Sequence, residues 1–250
     1  MARVEKNAAL EKQVSDVKGD VVAEVRRRRN PSSIGMKIGL LLLTIFLSLL
    51  LFGAWNIAKM GIVVVPVLSK YAYEVPYPTR VVEPGVSAET ILQETFTTTL
   101  TRRLYEGGGV LNDRSIQVAL TEASLTTSLR SWIEGHSTGM IDVSRAQAVI
   151  DPVVGIEIFT PLDGSKQQTA VTIQFSATSQ DGLLVLTPEQ VFVGSLEIPH
   201  LFLRTFLPFF EQELARVNAV MVGYAKISSI EVLSGELVVD GELVVEIEGQ

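Results

Sequence analysis

The sequence predicts the α+β fold class: a single N-terminal transmembrane helix followed by an extracytoplasmic domain of antiparallel strands packed on long helices. Three observations lead to this prediction. An uncharged apolar run lies near the N-terminus, apolar residues recur at helical spacing in two later segments, and short β-rich runs separated by turn residues fill much of the remainder. Helices combined with hairpin-connected strands are typical of the α+β class.

The apolar run from Ile38 to Ala58 has 21 residues and no ionisable side chain. At about 1.5 Å per residue, a helix of this length crosses a hydrocarbon core of about 30 Å. The run is too long, and the segment before it too long, for a cleaved signal peptide, so an uncleaved membrane anchor is predicted. The apolar residues at 61–68 allow the helix to extend beyond Ala58, as far as residue 68 at most, with Pro66 as the residue that would disrupt it.

The charges are divided unevenly on the two sides of this run. Residues 1–37 carry nine Lys and Arg against five Asp and Glu, whereas residues 59–250 carry 12 basic against 23 acidic side chains. Because basic residues remain on the cytoplasmic side, we expect a single-pass protein of the cell membrane with its N-terminus in the cytoplasm. The acidic C-terminal part excludes nucleic acid as a partner.

Four parts are predicted along the chain: a basic cytoplasmic tail at 1–37, a transmembrane helix at 38–58, a spacer rich in proline and tyrosine at 59–85, and the α+β domain at 86–250. In the spacer, prolines fix φ and remove backbone donors, which predicts an extended segment. In the tail, apolar residues follow a heptad-like spacing for barely two heptads, which predicts a short helix, with self-association as the alternative.

Within the domain, Ser87 is the predicted N-cap of a helix that ends at the glycines 107–109, and Thr121 caps a second helix closed by Gly135. Residues 114–120 lie between them and have strand character. From Ala146 onward, short β-rich runs follow one another, with "GLLVL" and "QVFVG" as two of them. A long helix from about His200 precedes a closing meander, in which two copies of "GELVV" predict neighbouring strands.

The sequence predicts no catalytic, cofactor-binding or metal-binding residues. The segment "GHSTG" at 135–139 matches G-x-S-x-G, but a nucleophile elbow needs a strand before the serine and a helix after it, and the predicted order here is reversed. A serine hydrolase using Ser137 is therefore the weakest alternative. The chain has no cysteine, which excludes thiolate catalysis, and its two histidines, His136 and His200, lack the spacing of a metal site.

The segment "LFLRTFLPFF" at 201–210 is apolar around nearly the whole circumference of a helix. Three interpretations fit it: burial beneath the strands, a groove that binds lipid, and a surface that docks another protein. The predicted contacts with an apolar ligand or a protein partner are Phe202, Leu203, Phe206, Phe209 and Phe210.

The run "DGLLVLTPEQVFVGSLEIPHLFLRTFL" at 181–207 resembles a pattern of the YpmS-like family of bacterial single-pass membrane-anchored envelope proteins. It is more distantly similar to LmeA-like proteins, which are thought to be related to tubular lipid-binding domains. The shared elements are turn and packing residues, so the resemblance implies a fold and offers no catalytic residue to transfer. The long charged tail and the spacer depart from the short-tailed arrangement of that family.

The leading hypothesis from the sequence is a non-enzymatic envelope protein that binds lipid or another apolar ligand close to the bilayer. The alternative is an envelope scaffold that docks a protein partner through the same apolar helix. The expected partners are therefore the lipid bilayer, a lipid ligand and an envelope protein.

Overall fold

The computed structural model describes residues 14–25, 31–107, 113–136, 139–203, 211, 214–215, 218–219 and 225–244. The chain forms two compact units, one ending at Gly53 and the other beginning at Ala54. Helix α1 covers residues 14–25, and helix α2 runs from Pro31 to Met60. Within α2, Gly35–Met60 has a mean hydropathy of 2.4 and is long and apolar enough to cross a membrane.

Helix α2 ends at Met60 and does not extend to residue 68. Gly61 has φ +68° and its N–H donates to the carbonyl of Ala58. A left-handed glycine is the usual residue directly after a helix, because it has no Cβ to clash in that conformation. The termination signal is therefore the glycine, five positions before Pro66.

Among its described residues, the second unit contains the end of α2, three further helices with defined bounds, eight strands and one 3₁₀ turn at Val143–Arg145. Residues 200–203, 211, 214–215 and 218–219 are also helical, in keeping with the helix predicted from about His200. The three helices with defined bounds are α3 (Leu68–Ala72), α4 (Ala88–Glu106) and α5 (Glu122–His136). The strands are β1 (Ser115–Thr121), β2 (Gln147–Asp151), β3 (Gly155–Pro161), β4 (Ala170–Gln180), β5 (Leu183–Val193), β6 (Leu196–Glu197), β7 (Ala225–Leu233) and β8 (Glu236–Leu243).

The strands form two antiparallel sheets, which confirms the α+β class. One sheet has the order β1-β8-β7 and the other the order β2-β3-β4-β5-β6. Residues of both sheets and the first residue of α4 form a common core. Its buried members are Ala88 of α4 and, from the strands, Ile116, Val118, Leu120, Ile150, Ile156, Phe175, Ala225, Ile227, Leu237, Val239 and Leu243. Partly buried residues of α4 and α5, including Phe96 and Leu125, pack against this cluster.

Local hydrogen bonds confirm both predicted ends of α4 and the predicted start of α5, whereas α5 continues through Gly135, its predicted end, to His136. The Ser87 hydroxyl accepts from the N–H of Thr90 at 3.2 Å, and Gly107 is the C-cap of α4. The Thr121 hydroxyl accepts from the N–H of Ser124 at 3.2 Å at the start of α5. These short-range caps satisfy N–H groups that a helix leaves without an internal partner.

Two predictions about strands are wrong. The runs "GLLVL" and "QVFVG" belong to one strand, β5, because a register shift between Gln174 and Phe175 of β4 accommodates Pro188 between them. The two "GELVV" copies are not neighbouring strands, because the second copy begins inside β8, at Gly241. A Cβ on Gly241 would lie 2.8 Å from the Lys226 carbonyl oxygen, so glycine allows β7 to approach closely there.

The edge of β2 is covered by side chains of α5. Every fourth residue of the helix hydrogen bonds to the backbone of every second residue of the strand, the pairs being Glu122 with Ile150, Thr126 with Ala148, and Arg130 with Ala146. Four helical residues rise about 6.0 Å and two strand residues about 6.7 Å, so the two periods match over this length. The edge is thereby closed to pairing with another strand.

Thr126 provides a test of this edge, because it is fully buried and its hydroxyl accepts from the N–H of Ala148 at 3.0 Å and donates to its carbonyl at 3.2 Å. Thr126→Val keeps the shape and leaves both backbone groups unpaired, so we expect a loss of about 2–4 kcal/mol in the free energy of unfolding. Urea unfolding of the full chain in detergent, followed by circular dichroism, measures it. The control Thr178→Val, at an exposed position of β4, should change stability by less than about 0.5 kcal/mol. Equal effects of the two substitutions would contradict the role of Thr126.

Candidate functional site

The structure separates the two predicted contact residues that it describes. Phe202 is 59% exposed, whereas Leu203 is only 6% exposed. Leu201, which precedes them, is 74% exposed. Phe206, Phe209 and Phe210 lie outside the described residues. The start of the apolar segment therefore presents two large apolar side chains to the surface and one to the interior.

The chain on both sides of this segment is hydrogen bonded to β5. The N–H of Phe202 donates to the carbonyl of Pro199 at 2.9 Å, and the N–H of Ile198 donates to Val191 near the end of β5 at 2.8 Å. Farther along the chain, the Asn218 side chain accepts from the Leu184 N–H and donates to the Leu184 carbonyl, at 2.9 and 2.8 Å. An amide side chain in this position replaces a neighbouring strand at the edge of β5.

The turn between β5 and β6 contacts the last turn of α2. The Ser195 N–H donates to the carbonyl of Lys59 at 2.9 Å, and the Thr169 hydroxyl donates to the carbonyl of Met60 at 2.6 Å. The last carbonyl groups of a helix lack internal partners, so these two bonds complete the end of α2. We call this contact, made by Lys59, Met60, Thr169, Gly194 and Ser195, the α2 joint.

Gly194 is required at the α2 joint for two reasons. Its φ is +61°, a conformation that L-residues rarely adopt, and a Cβ at this position would lie 2.4 Å from the Met60 carbonyl oxygen. The Ser195 hydroxyl adds a further link, because it accepts from the Glu74 N–H at 2.7 Å and donates to the Glu74 carbonyl at 2.8 Å. The segment after α2 is thus hydrogen bonded to the same turn.

Tyr73 completes the surroundings of the α2 joint. Its ring packs on Gly61, where a Cβ would lie 2.0 Å from Cε2 of the tyrosine. Burial raises the pKa of Tyr73 above the ordinary value of 10.0, and the smaller influence of the nearby Thr169 hydroxyl opposes this shift. The Tyr73 hydroxyl has no hydrogen-bond partner among the described residues, because the Thr169 hydroxyl donates to Met60 instead.

The segment predicted to be an extended spacer contains helix α3 (Leu68–Ala72), so that prediction is wrong for this part of it. The segment is also bound to the domain through charged and polar side chains. The buried carboxylate of Glu157 accepts from the N–H and hydroxyl of Thr79 at 2.9 and 2.8 Å. Arg80 donates to Glu122 at 2.9 Å and also to the Ile150 carbonyl. The hydrogen bond to Glu122 raises the pKa of Arg80. Both acids therefore have structural partners, as buried charges require.

The "GHSTG" segment follows a helix, as expected. Helix α5 ends at His136, whose ring stacks on Trp132 at 5.1 Å and whose Nδ1 lies 2.8 Å from the Trp132 carbonyl oxygen. His136 is exposed, and Ser137 lies outside the described residues. A helix before the serine does not provide the strand-to-helix turn of a nucleophile elbow.

A polar cavity of about 420 Å³ lies at the end of α4, lined by Arg102, Arg103, Glu106, Gly107 and Asp113. Arg103 forms an ion pair with Asp113. Hydrogen bonds from Ser115, with a smaller contribution from Arg103, lower the pKa of Asp113. The described residues that line the cavity are all polar or glycine, so this lining does not suit a lipid chain. Among the described ranges there is no cluster of three His, Cys, Asp or Glu side chains that could hold a metal ion.

The sequence analysis named Phe202 and Leu203 as contact residues, and it did not predict the α2 joint. Gly194 and Ser195 belong to the motif that carries the family resemblance, where they act only as turn residues. To predict the joint, one would have to know that Gly194 and Ser195 contact the end of a helix more than 100 positions earlier in the chain. No local pattern distinguishes Thr169.

Substitution of Gly194 tests the α2 joint. Gly164 is the matched control, because its φ is +68° and a Cβ there meets nothing within 4 Å. Gly164→Ala should cost about 1–2 kcal/mol from the backbone conformation alone. Gly194→Ala should cost roughly 2 kcal/mol more, since the Cβ displaces the Met60 carbonyl from its hydrogen bonds. Urea unfolding of the two variants in detergent measures the difference, and equal losses would contradict the joint.

Titration of Tyr73 predicts an alkaline loss of stability. The folded state retains the phenol proton to higher pH than the unfolded state. The contribution of the protonated phenol to the free energy of unfolding is therefore complete below pH 10.0, and it is lost as the pH rises through the raised pKa of Tyr73. Tyr73→Phe should therefore reduce the loss of unfolding free energy above pH 10.0. Thermal unfolding across this range measures it, with Tyr105→Phe at an exposed position as the control. The same pH dependence in wild type and in Tyr73→Phe would refute the assignment.

Comparison with known proteins assigns no family to this chain. No family model matches it, and no curated protein sequence matches it. The functional interpretation therefore depends on the geometry of the α2 joint and of the exposed residues beside it.

Proposed function

We propose that the chain is a single-pass membrane protein of the cell envelope whose C-terminal domain lies outside the cytoplasm and binds lipid or another apolar ligand without catalysis. Helix α2 is the membrane anchor, and the basic residues before it hold the N-terminus in the cytoplasm. Tethering keeps the domain where lipid is concentrated. The family resemblance of residues 181–207 is in keeping with this role.

One observation carries the proposal: Leu201 and Phe202 are exposed at 74% and 59%, and they lie close along the chain to the α2 joint. Ser195, which binds the Lys59 carbonyl, is only seven positions before Phe202. A chain of seven residues spans at most about 25 Å, so these side chains remain near the end of the anchor. Large apolar side chains near a bilayer are suited to contact with lipid.

A second function, docking of an envelope protein, is favoured by the same exposure. Leu201 and Phe202 protrude from the domain, and the cavity at the end of α4 is polar. An exposed apolar pair outside a cavity is typical of a protein interface as well as of a lipid contact. The two functions differ in what is bound after purification.

Native mass spectrometry of residues 54–250, produced in cells and purified without detergent, tests the proposal. This fragment retains the Lys59 and Met60 carbonyl groups that Ser195 and Thr169 bind. We expect a bound lipid mass, lost in Phe202→Asp. Because Phe202 is exposed, this substitution should leave the core intact. The control Tyr105→Asp changes another exposed aromatic residue on a helix and should retain the lipid.

Lipid retained equally in both variants would contradict a role for Phe202, and a fragment free of lipid would contradict lipid binding. A protein that co-purifies with the wild type but not with Phe202→Asp would support the docking function instead.

A further inference from the structure

The segment that follows α2 exposes a second group of apolar side chains. Their exposed fractions are 49% for Ile62, 56% for Val63, 45% for Val64, 73% for Val67 and 72% for Tyr71. We call these five residues the collar. A run of exposed valines is unusual on a surface in contact with water alone, because each gains free energy from burial.

The collar has a defined and strained backbone. The Leu68 N–H donates to the Pro66 carbonyl at 2.8 Å, which closes a γ-turn around Val67 at φ 69° and ψ −52°. This turn is rare, and positive φ is unfavourable for a β-branched residue. Buried Ser69 holds the turn in place, because its hydroxyl accepts from the Val65 N–H at 2.9 Å and its own N–H donates to the Val65 carbonyl at 3.0 Å. The fold thus maintains a conformation that directs Val67 outward.

The position of the collar relative to the end of α2 is also fixed. Gly61 is buried against the ring of Tyr73, and the Met60 carbonyl is bound by Thr169. Ile62 is two residues and Val64 four residues beyond Met60, so they lie within about 7 and 14 Å of it. The headgroup region on each side of a bilayer is about 5–7 Å thick, so a residue two positions beyond α2, such as Ile62, is within its reach.

The composition of the segment suits the boundary between headgroups and acyl chains. Lys59 precedes the collar and Lys70 lies within it, next to Tyr71. No Asp or Glu occurs from Lys59 to Tyr73, although residues 59–250 are acidic as a whole. The Lys70 ammonium lies 5.9 Å from the ring centroid of Tyr71. Tyrosine and lysine are typical of this boundary, where an apolar body and a polar end are both accommodated.

We propose that the collar is embedded in the headgroup–acyl boundary of the leaflet from which α2 emerges, with the lipid bilayer as its partner. This inference rests on the proposed membrane anchor and adds a second, interfacial contact to it. Chain continuity with the apolar span is the argument for lipid over a protein partner. The strained turn then has a role, since it holds Val67 toward the bilayer while Ser69 remains buried in the domain.

The absence of cysteine from the chain allows a direct test by single labels. The full chain with Val63→Cys or Val67→Cys carries an environment-sensitive fluorophore in vesicles of phosphatidylcholine and phosphatidylglycerol. Val153→Cys is the matched control, because Val153 lies in the turn between β2 and β3 and its side chain is 91% exposed. Leu49→Cys in α2 reports on the anchor itself. Quenching is measured with spin-labelled lipid and with aqueous iodide.

We expect spin-labelled lipid to remove most of the emission at positions 49, 63 and 67, and iodide to remove most of it at position 153. Labels at 63 and 67 that behave like the label at 153, with the label at 49 still quenched by lipid, would overturn the collar and leave the anchor intact. Quenching by iodide at all four positions would overturn the anchor and the collar together. Protection of 63 and 67 from both quenchers would indicate a protein cover and would also overturn the proposal.

Discussion

The carbonyl groups at the end of α2 impose the constraint on which the rest of the domain depends. A helix that ends leaves its last carbonyl groups without internal partners, and here Ser195 and Thr169 supply hydrogen bonds to two of them. The β5–β6 turn must therefore approach the end of α2 closely, which requires glycine at position 194. The exposed residues Leu201 and Phe202 come a few residues after that turn, beyond β6, and the collar follows α2 directly. One joint thus fixes where both apolar surfaces begin.

A second constraint is the edge of β2. The sheet would expose unpaired backbone groups there, and α5 covers them with side chains whose spacing matches the strand. Glu122 accepts a hydrogen bond from the N–H of Ile150 at this edge and also forms an ion pair with Arg80. Arg80, which follows the collar in the chain, is therefore bound at the edge of β2 as well. Glu157 is similarly occupied by Thr79. These charged side chains therefore have structural roles in this part of the domain.

The sequence predicted those features that depend on neighbouring residues. Ser87 and Gly107 mark the ends of α4, and the uncharged run marks α2. The remainder depends on residues far apart in the chain. Glycine is required at positions 194 and 241 because Met60 and Lys226 approach closely there, and Thr126 is required because it hydrogen bonds to Ala148. No pattern of neighbouring residues indicates any of these three contacts. The candidate site was predicted in part, since Phe202 faces outward while its neighbour Leu203 faces inward.

The central claim is that this domain contacts lipid at two apolar surfaces beside the membrane anchor. Photoactivatable phospholipid, supplied to cells that produce the full chain, tests it most directly when the lipid-modified peptides are identified by mass spectrometry. The account predicts adducts on the peptides that contain Val63, Val67 and Phe202, and few on the peptide that contains exposed Val153. Adducts confined to α2, or spread equally over Val153 and the two apolar surfaces, would contradict it.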